Sequence, residues 1–290
     1  MLKKIFLITF LAILNSFSSV VFAQTNIAEL LVRNYDILQK NDFQNMPFII
    51  DYSIEILKKS PNSIADYYTV GFVSATNCCE TNEMITKFKK MHEKYFSSID
   101  DLTSDTVEKI ILADLLYCGF SINKMTETEI MISQELGKKI LKAIASNYSK
   151  KDCSALAMLF LATNSSSNEI IETCEKFKEL YPDHGSIPLV NAKILIEKYL
   201  FNAETKDYLK YIEEIKKIID IYKDIESPFG KYKLITDVYA SIIQTYLELD
   251  KLDSAKEYLE LIKKEAPNFY RLPQIKSEVD VYMLNHGIKN

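Results

Sequence analysis

Residues 236–268 read TDVYASIIQTYLELDKLDSAKEYLELIKKEAPN, and this stretch decides the fold. Large apolar residues recur at helical spacing on both sides of a short polar break. Tyr239, Ile242, Ile243 and Tyr246 lie before it, and Ala255, Leu259 and Ile262 after it. A period near 3.6 marks two amphipathic helices, and Pro267 closes the second, because proline cannot continue a helix. Such a short link leaves the two helices no arrangement but antiparallel neighbours.

The same signature extends outward along most of the chain. Ile27, Leu30, Leu31, Tyr35 and Leu38 repeat it near the start, and Ile212, Ile215, Ile219 and Tyr222 further on. Polar breaks separate the segments at Lys40-Asn41-Asp42, Ser60-Pro61-Asn62, Ser149-Lys150, Asn164–Ser167 and Pro182-Asp183-His184-Gly185. Thr126 with Glu129, and Ser166 with Glu169, have capping-box spacing, which starts a helix by satisfying its unpaired first amides. Glycine is scarce and no strand alternation appears. The chain reads as thirteen helices in six hairpin pairs: 26–39 with 44–59, 62–76 with 81–97, 104–120 with 127–147, 151–164 with 168–181, 186–201 with 206–225, and 230–249 with 252–265. A last helix, 272–285, fits the cap that a stack needs over its final apolar face. The expected class is all-α, an α-solenoid of antiparallel pairs over residues 24–290.

Residues 236–268 resemble a tetratricopeptide repeat, a helix-turn-helix unit with fixed large and small positions. Tyr239, Ile242, Tyr246, Ala255, Leu259 and Pro267 stand at matching positions. Ile243 and Ile262 depart from the pattern, since small residues are usual there. A weaker copy runs over 151–184, with Ser154, Ala157, Met158 and Leu161 in its first helix and Ile170, Cys174, Phe177 and Pro182 in its second. The resemblance implies a concave surface lined by the first helices of successive pairs. It places Asp237, Ala240, Gln244 and Glu248 on that surface as candidate binding positions, the alternative being plain solvated ones.

The first 23 residues carry an export signature. Lys3 and Lys4 precede an apolar run from Ile5 to Leu14, and Val21-Phe22-Ala23 precedes Gln24. About ten apolar residues suit a cleavable signal, whereas a membrane span needs about twenty. The expectation is a chain that is periplasmic or secreted, with no stable membrane insertion after cleavage. Its formal charge of −5 becomes −7 once Lys3 and Lys4 are removed. An acidic surface with interspersed charges argues against nucleic acid as a partner. Lys87-Phe88-Lys89-Lys90 reads as one face of an amphipathic helix.

No catalytic pattern emerges. There is no glycine-rich phosphate loop before Lys-Ser or Lys-Thr and no Gly-x-Ser-x-Gly elbow, and His92, His184 and His286 are isolated from one another. No metal, cofactor or enzymatic activity is expected, and His184 reads as a surface residue of a turn. Export permits disulfides among Cys78, Cys79, Cys118, Cys153 and Cys174. Cys153 with Cys174, and Cys78 or Cys79 with Cys118, are the pairings the hairpins allow, the alternative being buried thiols. The expected function is a scaffold that binds a protein or peptide on its concave face. The alternative is a small-molecule or nutrient-binding component with a pocket between helix pairs.

Overall fold

A computed structural model of the chain describes residues 26–76, 81–96, 107–120, 126–147, 151–230 and 232–288. The proposed signal segment and Cys78 and Cys79 lie outside the described residues. Those described form thirteen α-helices: α1 (Ile27–Gln39), α2 (Met46–Lys59), α3 (Ile64–Thr76), α4 (Asn82–Phe96), α5 (Val107–Tyr117), α6 (Glu127–Ala145), α7 (Lys151–Leu161), α8 (Ser167–Leu180), α9 (Ile187–Ile196), α10 (Tyr208–Tyr222), α11 (Ile235–Glu248), α12 (Leu252–Glu265) and α13 (Leu272–Asn285). A π-helical turn, Glu197–Phe201, continues α9. None of these helices is long and apolar enough to cross a membrane.

Local chemistry sets the helix ends. Pro47, Pro188 and Pro273 open α2, α9 and α13, where a missing N–H costs nothing. Asn41, Asn62 and Asp250 adopt positive φ in the turns before α2, α3 and α12, a conformation Asn and Asp tolerate better than most residues. The box of Thr126 and Glu129 is complete, each side chain holding the other's backbone amide. The one expected at Ser166 is incomplete: its Oγ donates to the Glu169 carboxylate (3.4 Å) and caps no backbone amide, and that carboxylate also accepts from Lys138 Nζ of α6 at 2.9 and 3.0 Å.

Consecutive helices pack to give an α-solenoid, α1 on α2, α5 on α6, α7 on α8, α9 on α10 and α11 on α12. One expected pair is rearranged: α4 packs mainly on α2 and α5 rather than along α3. At the α5–α6 crossing a Cβ on Gly137 would fall 2.4 Å from the Ala113 carbonyl oxygen, so only glycine permits this approach. The repeat-like positions Tyr239, Ile242, Ile243, Tyr246, Ala255, Leu259 and Ile262 are all buried, the bulky Ile243 completely so.

The stack also closes on itself. Ser186 Oγ donates to the Ser63 carbonyl (3.2 Å), and Tyr68 Oη donates to Asp237 (3.3 Å), joining residues 123 and 169 positions apart. Residue 225 and residues 230 and 232–234, expected as helix ends, belong instead with 226–229 to a small hairpin. Its antiparallel bridge joins Glu226 to Lys233, Ser227 N–H donates to the Tyr232 carbonyl (2.8 Å), and Gly230 turns at φ 64°. Phe229 of this hairpin packs its ring against Tyr35, Tyr68 and Phe72, at 4.9, 5.3 and 5.7 Å between centroids. The hairpin thus covers the face that α1 and α3 present.

Candidate functional site

Helix α11 stands behind a wall of one cleft and lines another. The first is a cavity of about 420 Å³ lined by Tyr35, Leu38 and Gln39 of α1, Tyr67, Tyr68, Gly71, Phe72 and Ala75 of α3, Phe229 of the hairpin and Tyr270 before α13. Six of these ten side chains are aromatic and none is charged. The rings are inclined to one another: Tyr35 meets Tyr270 edge-on at 5.2 Å, and Tyr68 meets Phe229 edge-on at 5.3 Å. Edge-to-face packing fixes such rings and leaves some faces turned outward.

Gly71 makes the opening. It lies within α3, where glycine costs about 0.5–1 kcal/mol relative to alanine. No neighbour demands it, since an added Cβ would meet nothing within 4 Å. With Ala75 one turn on, it leaves part of the cavity wall without side chains. A helix-interior glycine that serves no close packing and lines a cavity is better explained by the cavity than by the fold.

Asp237 stands behind Tyr68. Burial pushes its carboxyl up to about 6, with Arg271 and the Tyr68 hydrogen bond pulling the other way. Its charge in turn helps raise the phenols of Tyr35, Tyr67, Tyr68 and Tyr270, for which burial is the larger cause. Every tyrosine of the cavity therefore feels this one carboxylate.

The second cleft, about 430 Å³, lies between the π-helical turn, α11 and α13 and is lined by Leu200, Phe201, Lys206, Tyr208, Ser241, Gln244, Thr245, Leu247, Glu248 and Glu278. Gln244 Nε2 donates to Glu278 (3.0 Å), and Lys206 lies over the Tyr208 ring at 4.8 Å. Glu197, buried at the start of the turn, accepts from Ser167 Oγ (2.8 Å) and pairs with Lys193 (2.8 Å). These contacts hold the turn that projects Phe201 into water, 66% exposed.

The four positions inferred from the repeat pattern therefore separate. Gln244 and Glu248 reach the second cleft, and Asp237 is half-buried beside the first. Ala240 is fully buried, a correction with a plain cause: α10, α12 and α13 all pack on α11 and leave that side no solvent. His184 is corrected too. It is 5% exposed, its Nε2 lies 3.6 Å from buried Asp66, and its Nδ1 accepts the Ser186 N–H (3.1 Å). Nothing in the local sequence shows that a carboxylate from α3 will meet this turn.

The Cys153–Cys174 bridge is not formed. Cys174 is a buried thiol, raised to about 12 by burial, and it sits by Lys193 and Glu197 of the next hairpin. Cys118 directs its Sγ to Asp114, and its proposed partners lie outside the described residues. Phe88 is buried while Lys89 and Lys90 are exposed, as an amphipathic face requires. Among the described residues no group of three or more His, Cys, Asp or Glu is placed to hold a metal ion. Comparison with protein-family models, curated proteins and solved structures gives no match.

Proposed function

We propose that this chain is an exported, tetratricopeptide-like binding protein whose aromatic cavity holds a small organic ligand. The observation that carries this reading is the cavity itself, with six rings, no charged lining residue among the described residues, and a wall opened by Gly71. Its volume falls in the range of small-molecule sites, which are apolar with a few placed polar groups. The hairpin at 225–234 favours a discrete pocket over a long groove, because it fills the face that an extended peptide would need. Export is inferred from the charged, apolar and small-residue sequence of residues 1–23.

Titration with N-phenyl-1-naphthylamine, an uncharged aromatic fluorophore, tests the pocket. The parent chain should bind it saturably, and Gly71→Leu should weaken binding at least about 100-fold by filling the cavity. The same change should leave the melting temperature equal or higher, since leucine suits a helix better than glycine. Equal binding by both proteins would exclude the pocket.

A second reading, capture of a protein or peptide partner, draws on the other cleft. Its mixed lining and the exposed Phe201 beside Gln244 and Glu248 resemble a partner-binding rim more than a ligand pocket. Alanine changes at Phe201, Gln244 and Glu248 that leave capture of every copurifying protein intact would remove it.

A further inference from the structure

We infer that the ligand of the aromatic cavity is an organic cation, an ammonium group seated against the tyrosine rings with Asp237 as its counter-charge. This rests on the pocket reading above and narrows it to one chemistry.

The lining selects by what it contains and what it lacks. Ring faces carry partial negative charge and attract ammonium groups. Tyr35, Tyr67, Tyr68, Phe72, Phe229 and Tyr270 offer six rings, and among the described residues no Lys, Arg or His lines the cavity. An anion would find no basic partner there. A sugar would need many hydrogen bonds, and apart from phenol hydroxyls the only polar side chain in the lining is Gln39.

Asp237 supplies the charge. Its carboxylate accepts a hydrogen bond from Tyr68, a ring of the cavity wall, at 3.3 Å. Among the described residues Asp237 stands in no ion pair; Arg271 acts on it from beyond contact and offsets its charge only in part. A carboxylate held among rings with so little compensation weakens the fold when ionised. A cation lodged on the far side of Tyr68 would offset that cost, so the ligand and the ionised carboxylate stabilise one another. The chain's own net charge of −5 also favours approach by cations.

Choline and 3,3-dimethylbutan-1-ol have the same shape and differ at one atom, a quaternary nitrogen against a carbon. Calorimetric titration of the purified chain should show choline binding roughly 10-fold or more tighter than the alcohol. Asp237→Asn should reduce that preference to within about 3-fold while leaving N-phenyl-1-naphthylamine binding intact, which also shows that the variant is folded. Equal binding of the two probes, a preference that persists in Asp237→Asn, or no choline binding would overturn the cation assignment. In each case, fluorophore binding that is lost in Gly71→Leu would leave the pocket itself standing. Failure of the fluorophore in the parent chain would remove both.

Discussion

The two clefts beside α11 have nearly the same volume and opposite character. One is walled by rings that pack on each other, and the Asp237 carboxylate is set back behind a tyrosine. The other mixes apolar residues with Lys206, Glu248 and Glu278, and Glu278 accepts a hydrogen bond from Gln244. Volume alone therefore does not mark a binding site here. The useful distinction is what each lining costs the fold. The first keeps a glycine inside a helix and a poorly compensated acid, and the second keeps nothing the fold would resist.

The sharpest way to break this contrast is at its aromatic centres. Phe229 is 6% exposed and packs against four rings, so Phe229→Ala should lower stability by about 3–5 kcal/mol. Phe201, equally large but exposed in the other cleft, should change stability by less than about 0.5 kcal/mol when made alanine. Urea denaturation of the two variants measures both, and similar losses would erase the distinction.

Charge gives the next contrast. The folded-state value of Asp237 lies above its ordinary 3.8, so the native state holds the extra proton between about pH 4 and 6. Stability therefore falls as pH rises through that window, and the loss is complete above it. Asp237→Asn should be more stable than the parent by roughly 1–3 kcal/mol at pH 8, with the advantage vanishing near pH 4. The tyrosines facing Asp237 do not cloud this window: Tyr35, Tyr68, Tyr232 and Tyr270 all titrate far above it. The smallest effect expected is at Gln244. Its alanine variant loses one half-exposed bond to Glu278 and should stay within about 0.5 kcal/mol of the parent.

Local pattern carried the helices, and distance hid the cavity. Periodicity and polar breaks together separate the thirteen helical segments, and Thr126 with Glu129 marks a start that the backbone bears out. The hairpin before α11 was read as helix ends and a link because a short turn between two apolar helices offers no period of its own. The repeat pattern of 236–268 is accurate about which positions are buried, from Tyr239 to Ile262. It misleads at Ala240 because it assumes an open concave face, and here neighbouring helices pack close on α11. The cavity joins α1, α3, residue 229 and residue 270, a meeting that no local spacing encodes. His184 fails for the same reason, its partner Asp66 lying on a distant helix.

Hydrogen exchange with and without N-phenyl-1-naphthylamine compares the two clefts in one measurement. The expected result is slowed exchange in peptides covering residues 35–39, 67–75 and 227–230. Slowed exchange confined to residues 200–208 and 241–248 would contradict the assignment of the aromatic cavity as the binding site.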